Sequence, residues 1–140
     1  MIKKISRGTK VQKTYIPILY DEIAKLMFPH LKKYLSIEVS FQNTFSEGAY
    51  GFCNYYPAEK KPRKFLIELD QTLQNEDLEK TFLHELIHVK QYARKELQHI
   101  TDTQLFWKSK KIYTKNMNEA NFPWEKEAER LTDKIYSNIF

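Results

Sequence analysis

The stretch Thr81 to Tyr92 contains His84-Glu85-Leu86-Ile87-His88, and no other feature constrains the chain as tightly. On a helix, residues four apart share a face about 6 Å apart along the axis. Two imidazoles so placed can hold one metal ion at roughly 2.0–2.1 Å each. Glu85 is turned about 100° from His84, where its carboxylate meets a water on the metal rather than the metal itself. Zinc is the expected ion. It brings bound water to a pKa of about 7, and a neighbouring carboxylate then takes the proton as that water attacks a carbonyl. The expected chemistry is hydrolysis of a peptide bond with Glu85 as general base.

The flanking residues favour a helix there, predicted from about Glu76 to Leu97. Asn75 can cap it, and Glu76 and Asp77 suit the positive end of its dipole. Leu78, Phe82, Leu86, Val89, Ala93 and Leu97 form an apolar stripe at helical spacing, and His84 and His88 lie off that stripe. One face packs while the other presents ligands.

Upstream, Ile23, Leu26, Met27, Leu31 and Leu35 predict a helix over Tyr20 to Leu35, kinked or split near Phe28 by Pro29. His30 has no partner at ligand spacing and reads as a surface histidine. Alternation from Ile37 to Phe45 predicts a half-buried strand, and Ala49 to Tyr56 a second, weakened by Gly51. Pro57 to Arg63 is a charged loop. The apolar run Phe65 to Leu69 predicts a third strand at the centre of the sheet. Downstream, Leu105 to Tyr113 predicts an aromatic hairpin turning at Lys108-Ser109-Lys110-Lys111. Pro123 suits the first turn of a C-terminal helix whose apolar face is Trp124, Ala128, Leu131, Ile135 and Ile139.

A catalytic zinc needs three protein ligands and one open position. Glu125 is the preferred third ligand, because it opens the last helix and Ala128 allows that helix to approach closely. Glu129 is then placed to orient a ligand histidine through its free ring nitrogen. Glu127 is the rival; it points about 200° away from Glu125, so both cannot bind one ion. His99 is a further alternative, lacking the glycine that would turn the chain back.

Length and composition set the frame. The chain has 140 residues, 41% of them hydrophobic, which suits one domain with a real core. It has no long apolar run, so no membrane span is expected. Met1 to Ile5 lacks the apolar segment of a secretory signal. The single cysteine, Cys53, excludes an internal disulfide framework, reads as a small strand residue, and fits a reducing, cytoplasmic setting. Lys3, Lys4, Arg7, Lys10 and Lys13 precede any acidic residue and equal the whole excess of +5. Residues 1–13 are therefore expected to form a basic, flexible arm, with one domain over 14–140. Such an arm could touch nucleic acid, although no base-reading motif accompanies it.

His84-Glu85-x-x-His88 followed by Glu125-x-x-Ala128-Glu129 resembles the gluzincins, the zincin metallopeptidases whose third ligand is glutamate. The small size, the strands ahead of the metal helix, and Phe106-Trp107-Lys108 before Pro123-Trp124-Glu125 resemble small phage or bacterial SprT-like peptidase domains. The resemblance covers roughly Ile37 to the C-terminus. It implies an α+β fold, with a three-stranded antiparallel sheet beside the active-site helix and helices at both ends. It implies His84, His88 and Glu125 as zinc ligands, Glu85 as general base, and an extended protein or peptide substrate along the sheet edge. If phage-encoded, such a protein acts in the host cytoplasm. The chain departs from SprT proper in lacking a clear third histidine and a Cys-rich zinc ribbon. Tyr92, His99 and Tyr113 are the nearby groups that could stabilise a transition state. The non-enzymatic alternative is a metal-stabilised interaction or regulatory module that keeps the site without the activity.

Overall fold

A computed structural model describes residues 1–55 and 61–140. In chain order the elements are β1 (Ile2–Ser6), α1 (Lys10–Met27), β2 (Ser36–Gln42), β3 (Gly51–Tyr55), β4 (Lys64–Asp70), α2 (Asn75–Ala93), β5 (Leu97–Thr101), β6 (Gln104–Trp107), β7 (Lys110–Tyr113) and α3 (Pro123–Ile139). The fold class is α+β.

The sheet beside α2 has four strands in the order β1-β2-β4-β3 and is mixed, which corrects the expectation of three antiparallel strands. β1 runs parallel to β2 and β2 parallel to β4, while β3 alone is antiparallel to its neighbour β4. The cause is connectivity. Helix α1 crosses over between β1 and β2, as a parallel pair requires. β3 lies outside β4 instead of between β2 and β4. Phe65, Ile67 and Leu69 put β4 at the centre, as their apolar run predicts, and all three are buried. The end of the second predicted strand, Tyr56, and residues 57–60 of the charged loop lie outside the described residues.

The N-terminal residues are not a free arm. Ile2 and Ile5 pack against the core as part of β1, while Lys3 and Lys4 point to solvent. Lys10 and Lys13 belong to α1. That helix begins earlier than its apolar spacing suggests, because Thr9 and Gln12 form a reciprocal capping box: Gln12 N donates to Thr9 Oγ1 at 3.1 Å, and Thr9 N to Gln12 Oε1 at 2.8 Å. The helix stops at Met27 with Phe28 as its cap, just ahead of Pro29, and does not resume. His30 is exposed.

Helix α2 lays Leu78, Phe82, Leu86, Val89 and Ala93 into the core, with Leu83 and Ile87 beside them. Asn75 has φ 50°, and no side-chain hydrogen bond caps the helix start at Gln74. The helix ends sooner than predicted. Lys95 N donates to Tyr92 O at 3.0 Å and Glu96 N to Gln91 O at 2.9 Å, with Lys95 at φ 58°. This paired closure normally uses glycine at the left-handed position, and lysine there gave no sequence signal. Leu97 consequently belongs to β5. It joins Leu105 and Trp124 in a second small core under the antiparallel sheet β5-β6-β7. The aromatic hairpin of β6 and β7 forms as predicted, turning at Lys108 and Ser109, both at positive φ. Among the described residues no helix is long and apolar enough to cross a membrane.

Candidate metal centre

α2 and α3 pack face to face, and Ala128, fully buried, lets them approach closely. Pro123 starts α3, and Trp124 sinks into the small core beside it. The next residue, Glu125, is thereby turned toward α2. Its Oε2 lies 3.2 Å from His84 Nε2 and its Oε1 3.0 Å from His88 Nε2, while the two Nε2 atoms are 3.2 Å apart. Three ligands at 2.0–2.1 Å in a tetrahedral arrangement lie about 3.3–3.4 Å from one another. The two Nε2 atoms stand at that spacing, and each has a different oxygen of the Glu125 carboxylate within 3.2 Å; one ligand atom from each residue lies within 4.8 Å of the other two. They are the group of histidine, cysteine and acidic side chains, among the described residues, able to hold a metal ion.

The donor atoms also present the right lone pairs. Gln91 is fully buried, and its amide nitrogen donates to Trp124 O at 3.0 Å and Glu127 Oε1 at 3.2 Å. Its Oε1 must then be the atom 2.8 Å from His88 Nδ1, so Nδ1 carries the proton and Nε2 is left bare toward His84 and Glu125. One side chain ties the ligand of α2 to the start of α3. Glu129, expected in this orienting place, is exposed and lines the cleft instead. The available signal was the spacing: Gln91 is one helical turn beyond His88.

Glu127 is not a ligand. It is buried and takes salt bridges from Lys90 Nζ at 3.2 Å and Lys108 Nζ at 3.1 Å. Lys90 also sits 3.0 Å from Glu96. Despite its burial, Glu127 is held below the usual carboxylate range by Lys108, Gln91 and Lys90. His99 is exposed on β5 and outside the cluster, and Tyr113 is exposed on β7.

Electrostatics separate the two site carboxylates. Burial pushes Glu125 up, but hydrogen bonds and charge from His84 and His88 outweigh it and hold the carboxyl at about 2. Burial also lowers His88, but Glu125 and Glu85 more than reverse this, leaving the imidazole above its ordinary value. Glu85, 6% exposed, is raised by burial and by Glu125, against the pull of His88 and His84. No hydrogen bond among the described residues acts on its carboxylate.

These groups open into a cleft of about 860 Å³ between β3, α2 and α3. Gly51 forms a close wall: a Cβ there would lie 3.1 Å from Glu85 Oε2 and 3.1 Å from Thr81 Cγ2. Cys53 and Tyr92 line the same cleft. Burial and the Glu85 charge push the Cys53 thiol well up, so it stays protonated. Burial likewise raises the Tyr92 hydroxyl, keeping it a donor, and its ring packs 4.4 Å from that of Tyr55.

No protein-family model, curated protein or solved structure matches this chain.

Proposed function

We propose that the protein is a zinc-dependent metallopeptidase of the gluzincin, SprT-like type, acting in the cytoplasm on protein or peptide substrates. The observation that carries this reading is the convergence of His84, His88 and Glu125, with buried Glu85 one residue along and facing the same cleft. Zinc held by His84, His88 and Glu125 would supply an acidified water and a Lewis acid for the substrate carbonyl. The chain's own residues do the rest. Glu85 would accept the proton of such a water, and the rise that burial gives its carboxyl suits it to a base. Glu125 and the bare Nε2 atoms hold charge and geometry fixed. The outer edge of β3, unpaired among the described residues, can take an extended peptide by strand addition. Tyr92, neutral and lining the cleft, is the best placed of the three sequence candidates to donate a hydrogen bond to a developing oxyanion.

The test is Glu85→Gln. The variant should bind zinc one to one and keep its fold, while hydrolysis of a mixed peptide library falls by about 10²–10⁴-fold. Cleavage at the wild-type rate would remove Glu85 as the base. Stoichiometric zinc with no turnover by the wild-type protein would favour the interaction module instead. Of the basic N-terminal residues, Lys3 and Lys4 lie in β1, Lys10 and Lys13 in α1, and Arg7 between them.

A further inference from the structure

Two aromatic rings stand in solvent at the mouth of the cleft. Phe45 is 60% and Tyr50 49% exposed, and they stack with centroids 5.0 Å apart. Tyr50 lines the cleft and is followed directly by Gly51, the residue pressed against Glu85. The loop that carries them is fastened. Buried Asp70 accepts from Phe45 N at 2.9 Å through Oδ1, and its own backbone N–H donates to Tyr50 O at 2.8 Å. Thr72 N and Thr72 Oγ1 hold the other carboxylate oxygen, so Asp70 is fixed in turn. Between the rings, Gly48 at φ 95° closes a short turn with its N–H on Phe45 O at 3.0 Å.

Apolar side chains scattered singly on a surface are ordinary, as with Val11, Ile18 and Leu26 on the outer face of α1. A stacked pair pinned at both backbones and continuous with a cleft is different. Its backbone is already fixed and its rings already stack, so less ordering cost remains when a ligand covers them. The ligand class follows from the neighbouring strand. β3 pairs only with β4 among the described residues, and its residues Gly51, Phe52 and Cys53 line the same cleft. A peptide added to the outer edge of β3 turns alternate side chains to the wall, at about 3.3 Å rise per residue. Its side chain beside Tyr50 belongs to a residue within about two positions of the one at Glu85.

We propose that Phe45 and Tyr50 form a specificity subsite for an aromatic or large aliphatic side chain of an extended peptide lying along β3. This rests on the cleft being the peptide-binding site. The opposing possibility is a basic side chain drawn by Glu129 and Asp133, which line the far wall.

The experiment uses the zinc-loaded Glu85→Gln protein, so that nothing is cut. Blocked hexapeptides of alanine with a single Phe, Leu, Ser or Lys, scanned through the inner positions, are titrated by NMR. At one position Phe and Leu should bind about tenfold more tightly than Ser or Lys. Adding Phe45→Ser with Tyr50→Ser should bring all four within about twofold, while Phe45→Tyr with Tyr50→Phe should keep the preference. Both residues are exposed, and a thermal melt confirms that the variants stay folded. Equal affinities, tightest binding of Lys, no binding, or a preference that survives the double serine change would each overturn the subsite. Hydrolysis by zinc-loaded wild type is scored separately. Selective binding without cleavage removes the peptidase and keeps the subsite; cleavage without the preference does the reverse.

Discussion

His88 Nδ1 donates to Gln91 Oε1 at 2.8 Å, and the orientation of that amide is fixed from the other helix by Trp124 O. A neutral imidazole has only one bare nitrogen, and this contact decides that it is the one facing His84 and Glu125. Gln91→Leu should lower zinc affinity by about 10–100-fold, measured by competition with a chelator. It should also cost about 1–3 kcal/mol of stability, because the buried His88 Nδ1–H is left without its acceptor. Unchanged affinity in a folded variant would remove Gln91 from the site.

Gly51 allows Glu85 its position. Gly51→Ala places a methyl 3.1 Å from the Glu85 carboxylate and from Thr81, so one of them must shift. Hydrolysis should fall by about tenfold to a hundredfold, since small displacements of a reacting group are costly. Zinc stoichiometry should stay the same. A variant that binds zinc and cleaves at full rate would show that the contact is relieved without moving the carboxylate.

A proton and a bound metal ion would compete for His88. Its folded pKa is raised above 6.5, so in the metal-free protein its proton contributes stability below that value. That contribution is lost as pH rises through the folded pKa. Chelated protein should lose stability over that rise while the zinc-loaded protein does not. Zinc affinity should weaken as pH falls through the same range, because binding must displace the proton. Melting curves against pH, with and without chelator, read both effects.

Asp70 has the opposite sign. The Thr72 hydroxyl above all, with Phe45 N and Thr72 N, holds its carboxyl below 3.8 against the effect of burial. Its stabilising contribution is present above the unfolded value and is lost as pH falls through the lowered folded one. Asp70→Asn should destabilise the protein at neutral pH and flatten its acid limb, read by urea unfolding between pH 7 and pH 2.

Lys90 and Lys108 both pair with Glu127, but their surroundings differ. The Lys90 side chain is 12% exposed and the Lys108 side chain 55%. Lys90→Met strips buried Glu127 and half-buried Glu96 of a shared cation and should cost about 3 kcal/mol. Lys108→Met should cost under about 1 kcal/mol. Chemical denaturation of the two variants ranks them; the reverse order would contradict the burial difference.

By itself the sequence determined what depends on short spacing. His84 and His88 share a face because they are four apart on a helix, and Pro123 starts a helix that must carry Glu125 and Glu127 on different sides. The apolar run of β4 called for a central strand, and the Lys108-Ser109 hairpin turns where it was expected. Tertiary structure decided what depends on how distant elements are rotated against one another. Burial of Trp124 and Ala128 sets the roll of α3, and that roll sends Glu125 to the histidines and Glu127 to two lysines. Gln91 became the support of His88 only because Trp124 O and Glu127 stand across from it. Strand order escaped the sequence for the same reason: alternation fixes which face of a strand is buried but carries no information about which strand lies beside it.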